Sequence, residues 1–174
     1  MIVEMEELHY GYMDSPVGRL GLAASFKGLV SLDFLNSMGN NYIEILNNRN
    51  PGKVLIKDGS FVQEPLEQVR EYFMGQRQNF TCSLDLAGTI FQKMVWQALR
   101  EVPYGKTCSY EDIASKIDNN KAVRAVGQAN GKNPIAIIVP CHRVIRKSGH
   151  LGGYSSGLDI KRFLLNWEEK ILNV

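Results

Sequence analysis

The apolar residues change their spacing part-way along the chain, and this change constrains the fold more than any other feature. Up to about residue 35 they alternate with polar residues, as in strands that bury one face. Beyond residue 60 they recur every three or four positions, as in helices that bury one stripe. The sequence therefore predicts an α+β fold, with the sheet in the first part of the chain and most of the helices in the second.

Three short strands and one helix are predicted in the first half. The strands are Leu8–Met13, Gly18–Phe26 and Leu29–Leu35, and turn signals at Ser15–Gly18 and Lys27–Gly28 join them into an antiparallel meander. The segment Gly39–Gly59 is rich in Asn, Gly and Pro and predicts a loop around one short apolar patch, Tyr42–Leu46, that is compatible with a helix. A helix then follows from Phe61 until Gly75 ends it.

Residues 75–89 lack a strong period and are typical of a connection between domains. We therefore predict an N-terminal α+β domain over residues 1–85 and a C-terminal domain over residues 86–174. Their charges differ: residues 1–89 hold 7 Lys and Arg against 11 Asp and Glu, whereas residues 90–174 hold 13 against 7. A compact basic half can attract phosphate groups, although a dipolar surface without function remains an alternative at this point.

Several classes of protein are excluded by what the sequence lacks. No apolar run approaches the roughly 18 residues of a membrane span, and Met1–Glu7 holds three glutamates where a signal peptide has basic residues. We therefore expect a cytoplasmic protein. Cys82, Cys108 and Cys141 form an odd set without Cys-x-x-Cys spacing, so the sequence suggests neither a disulfide framework nor a cysteine-rich zinc site.

The basic half begins with three predicted helices. The first has Phe91, Val95, Trp96, Leu99 and Val102 on one face. Ser109 can cap the second, with Asp112 as the carboxylate of a capping box, and the third runs from about Lys121 to Asn130. The last two, joined by a short polar turn, predict a helix-turn-helix. Small residues crowd the third helix, which suits either a tight helix crossing or close approach to another molecule.

A cysteine in an unusual setting follows these helices. The apolar run Ile135–Val139 predicts a buried strand or extended segment, which ends at Pro140. Cys141 and His142 come directly afterwards, and a last amphipathic helix carries Glu168 near its end. A nucleophile, a base and a group that orients the base need these residue types. The alternative is a buried cysteine beside a surface histidine, and Cys82 and Cys108 are interpreted as structural.

The segment Pro140-Cys141-His142-Arg143-Val144 resembles the active-site signature of the O6-alkylguanine-DNA alkyltransferases, also called methylated-DNA–protein-cysteine methyltransferases. The resemblance extends from about Phe91 to Glu168 through further blocks in the same order: Pro103-Tyr104-Gly105, Ser109-Tyr110, Ala122 to Gly127, Asn133-Pro134, Gly153-Tyr154-Ser155 and Lys161 to Glu168. Over residues 1–85 it is limited to the pattern of a meander and a helix, and it implies a ribonuclease H-like N-terminal domain.

The resemblance implies direct reversal of DNA damage, in which a cysteine thiolate takes the alkyl group from O6 of guanine, and also from O4 of thymine. The thiol is not regenerated, so one molecule repairs one lesion without a cofactor. The implied catalytic roles are nucleophile for Cys141, base through a water for His142, orientation of the base for Glu168, support of the active-site turn for Asn133, and phosphate contact and proton donation for Tyr110. Val144, Tyr154 and Ser155 resemble the edge of the base pocket.

The resemblance also implies how double-stranded DNA is bound. The target nucleotide must be flipped out of the duplex, and Arg124 resembles the finger that fills the vacated space. Its neighbours Ala122, Ala125 and Gly127 would let the helix enter the minor groove with little sequence readout. We expect no metal site, because the N-terminal half offers only His9 and Cys82 as ligands of the zinc-binding kind. We expect a monomer without an obligate protein partner or membrane contact.

Two other functions were compared with alkyl transfer. Alkyltransferase-like proteins keep the fold and flip the lesion but lack the cysteine, whereas Cys141 is present here. A hydrolase of the Cys/His type would leave the helix-turn-helix unexplained, and no oxyanion-hole motif accompanies the pair. Alkyl transfer accounts for more of the sequence than either alternative.

Overall fold

A computed structural model describes residues 6–35 and 41–173 of the 174-residue chain. The chain divides into two compact units, residues 1–86 and 87–174. The first unit is α+β and the second is mainly helical, as the sequence predicts.

The N-terminal unit contains a four-stranded sheet with the order β3-β2-β1-β4. Strands β1 (Glu7–Ser15), β2 (Gly18–Ser25) and β3 (Gly28–Phe34) form the predicted antiparallel meander. The fourth strand, β4 (Val54–Lys57), lies within the segment predicted as a loop and pairs parallel to β1, with Leu55 opposite Leu8. The predicted antiparallel meander is therefore present, but the parallel β4 was not predicted and makes the sheet mixed rather than antiparallel.

Helix α1 (Tyr42–Arg49) precedes β4 and extends the predicted apolar patch by one turn. Residues 36–40, which belong in part to the same predicted loop, lie outside the described residues. A 3-10 turn at Gly59–Val62 and helix α2 (Gln63–Phe73) replace the single predicted helix. The core of the unit includes these side chains, each at most 1% exposed: Leu8, Leu20, Leu22, Ala23, Leu29, Leu32, Leu46, Val62, Val69 and Tyr72.

The segment that follows α2 contacts the edge of the sheet before it leaves the unit. The amide of Leu29 donates to the Ser83 carbonyl at 2.9 Å, and the amide of Asp85 donates to the Leu29 carbonyl at 2.8 Å. Gly28 allows this approach, because a Cβ there would lie 2.5 Å from the Ser83 carbonyl oxygen and φ is +145°. The predicted connection is thus ordered against β3 up to Asp85.

The C-terminal unit contains four helices: α3 (Ile90–Arg100), α4 (Tyr110–Lys116), α5 (Val123–Gly131) and α6 (Leu158–Leu172). The predicted capping box of α4 is present, with the Asp112 amide donating to Ser109 Oγ and the Ser109 amide donating to Asp112 Oδ2. Helix α5 begins at Val123 rather than Lys121 and packs against α3 and α4. A short parallel pair, β5 (Cys108–Ser109) and β6 (Val144–Ile145), was not predicted.

The apolar run Ile135–Val139 is a buried turn, so the prediction of a strand or extended segment was wrong. Ile137 has φ +68°, in the left-handed region. The Asn133 side chain fixes this shape, since its Nδ2 donates to the Val139 carbonyl at 2.7 Å and its Oδ1 accepts from the Ile135 amide at 3.0 Å. All five side chains of the run are buried in this turn, so it needs no neighbouring strand to cover them.

The described residues include neither a candidate membrane span nor a candidate metal-binding group. None of their helices is both long and apolar enough to span a bilayer. No group of three or more His, Cys, Asp or Glu side chains among them is placed to hold a metal ion.

Candidate active site

Cys141 begins a 3-10 turn, Cys141–Arg143, that directly follows the buried turn and Pro140. Its side chain is 4% exposed. The polar side chains of Asn133 and Tyr154 lie near the Cys141 sulfur, where both act to lower the pKa of its thiol. Asn133 therefore holds the backbone before the cysteine and also lies close to the sulfur.

His142 and Glu168 form a buried hydrogen-bonded pair. His142 Nε2 lies 2.7 Å from Glu168 Oε1, and both side chains are fully buried. The carboxylate also accepts from the Gly105 amide at 3.0 Å and from Arg143 Nε at 2.9 Å. Because Nε2 is engaged by the carboxylate, the proton of the neutral imidazole resides there, and Nδ1 is left as an acceptor. Nδ1 has no partner among the described residues.

The charges around this pair keep the carboxylate ionised and the imidazole neutral. Burial raises the pKa of Glu168, but the hydrogen bonds from His142 and Arg143 and the positive charge of Arg143 outweigh it and bring the pKa to about 2. Burial lowers the pKa of His142, and the positive charges of Arg143 and Lys161 oppose the effect of Glu168. A neutral His142 with a free Nδ1 is suited to accept a proton at pH 7.

The Cys141 thiol is protonated at rest. Burial raises its pKa, although the hydrogen bonds from Asn133 and Tyr154 and the charge of Lys161 oppose this increase. A thiol of this kind is a weak nucleophile until a base removes its proton. Cys141, His142 and Glu168 have the residue types and protonation states that a nucleophile, a base and its orienting carboxylate need.

A cavity of about 270 Å³ opens beside these residues, and we call it the base cavity. It is lined by Tyr110, Gly127, Asn130, Gly131, Gly153, Tyr154 and Ser155. Burial raises the pKa of the Tyr110 phenol, as does the nearby Cys141, so its hydroxyl keeps its proton and can donate it. Tyr154 belongs both to the wall of this cavity and to the contacts of the Cys141 sulfur, so the cavity and the nucleophile are adjacent.

A second, more open cavity of about 390 Å³ lies on the outer side of Tyr110, and its cationic wall we call the basic face. The basic face consists of Arg124, Arg146 and Lys147. Arg124 and Ala125 are exposed on α5, whereas Val126 and Ala129 on its other side are buried. An added Cβ at Gly127 would lie 3.8 Å from the Tyr110 ring, which is ordinary contact. Packing within the unit therefore does not require the small residues Ala125 and Gly127.

Comparison with known proteins identifies the chain. A methylated-DNA–protein-cysteine methyltransferase of Methanosarcina barkeri is 48% identical over 165 residues, which cover 95% of this chain and 99% of that protein. The chain belongs to the 6-O-methylguanine DNA methyltransferase family. The family's DNA binding domain matches residues 90–170, and its ribonuclease-like domain matches residues 8–86. The inducible methyltransferase of Bacillus subtilis is 44% identical over 149 residues, covering 86% of this chain and 83% of that protein.

Solved structures of the family have the same fold. The crystal structure of Mycobacterium tuberculosis OGT in complex with DNA matches with a TM-score of 0.81 and 44% identity, over 94% of both chains. A methyltransferase from the archaeon Pyrococcus kodakaraensis matches with a TM-score of 0.64 and 25% identity, over 92% of this chain and 98% of that one. The predicted family and α+β fold class are thus confirmed.

In this member of the methyltransferase family, the predicted site residues lie in several places. Asn133, Tyr154 and His142 lie close to Cys141, and Glu168 is bonded to His142. Tyr110, Gly127 and Ser155 line the base cavity, and Arg124 and Ala125 are exposed on α5. Ala122 is half-buried at the N-terminus of α5, and the carbonyl of buried Val144 accepts a bond from Lys161.

Lys161 is a charged residue of the site that the sequence did not indicate, and the contact of Arg143 with Glu168 was also not predicted. Lys161 is fully buried on α6, and its Nζ donates to the carbonyls of Val144 at 2.6 Å and Gly153 at 3.3 Å, and also to that of Leu151. Burial lowers the pKa of Lys161 to about 8. These bonds hold together the loop that carries Gly153, Tyr154 and Ser155. The spacing could have indicated this position of Lys161. It lies three positions before Leu164 and seven before Glu168, and residues at these separations share one face of a helix.

Arg143 has a similar supporting position. Its Nε and Nη2 donate to the two oxygens of Glu168 at 2.9 and 3.1 Å, and its Nη1 donates to the Val102 carbonyl at 2.7 Å. This two-pronged contact fixes the plane of the carboxylate and hence the position of His142. The sequence marks Arg143 as a cationic group beside Cys141 within the signature, but it does not predict this contact with Glu168.

Proposed function

We propose that this protein repairs DNA by moving the alkyl group from O6 of alkylguanine to the sulfur of its own Cys141. The observation that carries the proposal is the buried Cys141, which directly precedes a neutral His142 held by Glu168 and lies near Tyr154 on the wall of the base cavity. Membership of the methyltransferase family gives this arrangement its substrate. O4-alkylthymine is a second substrate of the same chemistry.

The proposed reaction is a single substitution. His142 Nδ1 takes the thiol proton of Cys141 through a bridging water, and the ionised Glu168 stabilises the imidazolium that forms. The sulfur attacks the alkyl carbon, so an S–C bond forms while the C–O6 bond breaks. Guanine departs with the electron pair and takes a proton from the Tyr110 hydroxyl, which solvent then restores. No electrons are exchanged with an oxidant or reductant, and the thioether remains on the protein.

The proposed partner is double-stranded DNA that contains the lesion. The basic face attracts the phosphate backbone. Ala125 and Gly127 have small side chains, so helix α5 can enter the minor groove. A stacked base cannot reach a sulfur that is 4% exposed, so the nucleotide is flipped into the base cavity. Because one chain supplies every proposed group, we expect an active monomer. We also propose that it acts on DNA in the cytoplasm.

A turnover experiment tests the proposed reaction. With a tenfold excess of duplex that contains O6-methylguanine, we expect the repaired guanine to rise to one equivalent of protein and then stop, because the thioether cannot leave Cys141. Repair that continues through many equivalents would contradict the proposed mechanism, as would ester or peptide hydrolysis that depends on Cys141.

Arg124→Ala tests the proposed finger. The Arg124 side chain is exposed, so its loss should change the free energy of unfolding by no more than about 0.5 kcal/mol. Flipping the nucleotide out of the duplex costs a few kcal/mol, and the variant lacks the side chain that fills the vacated space. We therefore expect repair in duplex DNA to slow at least about tenfold. The rate with free O6-benzylguanine, which needs no flipping, should stay the same. Both rates are measured by loss of active protein over time.

Arg100→Ala is the matched control for this variant, because Arg100 is an exposed arginine at the end of α3 in the same unit. It should leave both rates within twofold of wild type. Equal slowing of the duplex and free-base reactions in Arg124→Ala would remove Arg124 from the finger role.

A further inference from the structure

One polar side chain of the base cavity is not used by the proposed mechanism. Asn130, near the end of α5, lines the cavity and is 5% exposed. Its Nδ2 lies 3.4 Å from the Cys141 carbonyl and donates to it. Its Oδ1 has no hydrogen-bond partner among the described residues. A buried acceptor without a partner is unfavourable, so a ligand that brings a donor to this point is favoured.

The orientation of this amide follows from chemistry. A carbonyl oxygen accepts hydrogen bonds and cannot pair with a second carbonyl oxygen, so the nitrogen of the Asn130 amide must face the Cys141 carbonyl. The oxygen then lies on the other side of the amide. Asn130 thus brings to the wall of the base cavity a buried acceptor that has no partner among the described residues, next to the backbone of the nucleophile.

The flipped base has only one group that can satisfy this acceptor. Alkylation of O6 removes the N1 proton of guanine, so O6, N1, N3 and N7 are all acceptors, and the exocyclic 2-amino group is the one N–H donor on the ring. That amine has two N–H bonds. It can therefore donate to Asn130 Oδ1 and still donate a second bond to another acceptor of the site.

We propose that Asn130 Oδ1 accepts a hydrogen bond from the 2-amino group of the flipped O6-alkylguanine and gives this protein a preference for guanine lesions over thymine lesions. The proposal rests on the function proposed above. O4-alkylthymine carries no N–H donor, because alkylation removes its N3 proton, so it leaves Oδ1 unpaired. Asn130 is thus a specificity-determining residue that contacts the base but takes no part in bond breaking.

Removal of the amine from the substrate tests this contact directly. The rate constant for methyl transfer is measured at limiting concentrations on two duplexes, one with O6-methylguanine and one with O6-methylhypoxanthine, which lacks the 2-amino group. Wild-type protein should react about threefold to tenfold faster with O6-methylguanine, the range expected for one neutral hydrogen bond. In Asn130→Leu, which keeps the side-chain volume but has no acceptor, this ratio should fall to nearly one.

The same variant should narrow the preference for O6-methylguanine over O4-methylthymine by a similar factor. Gln128→Leu is the matched control, because Gln128 is an exposed amide on the same helix that does not line the base cavity, and it should keep the wild-type ratio. Asn130→Met is a second apolar replacement if the leucine variant fails to fold.

Three results would overturn the proposal. Equal rates on the two methylated purines in wild-type protein would show that the amine is not read at all. An unchanged ratio in Asn130→Leu, with both rates slowed equally, would assign Asn130 to support of the Cys141 backbone instead. Failure of wild-type protein to accept a methyl group from either duplex would contradict the proposed function itself, and the role of Asn130 with it.

Discussion

The Cys141→Ala variant is expected to lose alkyl transfer completely while it still binds duplex DNA that contains O6-methylguanine. The sulfur is the proposed acceptor, whereas the basic face and the base cavity are formed by other residues. Loss of one buried sulfur leaves a small cavity and should lower the free energy of unfolding by about 1 kcal/mol. DNA affinity should therefore stay within about threefold of wild type, measured at a fixed salt concentration by fluorescence anisotropy.

Cys108→Ala is the control for this variant. Cys108 is a free, half-buried cysteine of the same unit, and burial raises its pKa to about 11, so it is a poor nucleophile. This variant should transfer a methyl group at the wild-type rate. Transfer by Cys141→Ala would reveal a different acceptor. Loss of its lesion binding, with the fold intact by circular dichroism, would show that recognition and chemistry are not separable in this protein.

Glu168→Gln is expected to slow alkyl transfer by about 10² to 10³, the range for loss of an oriented and stabilised base. The carboxylate accepts hydrogen bonds from His142, Arg143 and the Gly105 amide. A glutamine replaces one of its two oxygens with an NH₂ group, which cannot accept the hydrogen bonds that this oxygen receives. The variant leaves Arg143 without its counter-charge in a buried place, so we also expect a loss of about 3 kcal/mol in the free energy of unfolding. DNA affinity should be nearly unchanged.

The stability effect of this substitution should depend on pH in a defined direction. The pKa of Glu168 is about 2 in the folded protein against 4.5 for an ordinary glutamate, so its ionised form stabilises the fold above about pH 4.5. That contribution is lost as the pH falls from 4.5 toward 2. The difference in unfolding free energy between wild type and Glu168→Gln, measured by urea denaturation, should therefore be largest above pH 5 and shrink toward pH 2.

Glu169→Gln is the matched control, since Glu169 is the next residue on α6 and is exposed. It should change neither the transfer rate nor the stability by a measurable amount. A wild-type transfer rate in Glu168→Gln would remove the carboxylate from the mechanism. A stability difference that stayed constant from pH 7 to pH 2 would contradict the depressed pKa.

The sequence was sufficient for the parts of this protein that local chemistry determines. The capping box of α4 needs only Ser109 and Asp112 at the right spacing, and the meander needs only alternation and two turns. Cys141, His142 and Glu168 were placed in one site by the family resemblance rather than by spacing, because a separation of 25 positions between Arg143 and Glu168 gives no contact information by itself. The structure brings these side chains together, and their roles stay predictions.

The errors occur where long-range contacts decide the local structure. Strand β4 is four residues long and pairs with β1 from far away in sequence, so no local pattern marks it. The run Ile135–Val139 is apolar throughout, so its period cannot distinguish a strand from a buried turn, and the Asn133 side chain decides the outcome. Lys161 and Asn130 are polar residues at buried helical positions, where their carbonyl partners on other segments hold them.

Mass spectrometry of the intact protein, before and after incubation with a duplex that holds one O6-methylguanine, tests the central proposal most directly. We predict a gain of one methylene equivalent, about 14 Da, that saturates at one per protein and maps by peptide analysis to the peptide containing Cys141. The same gain should be absent after incubation with an undamaged duplex. No change in mass, in protein that still binds the damaged duplex, would contradict alkyl transfer and indicate a protein that recognises the lesion without repairing it.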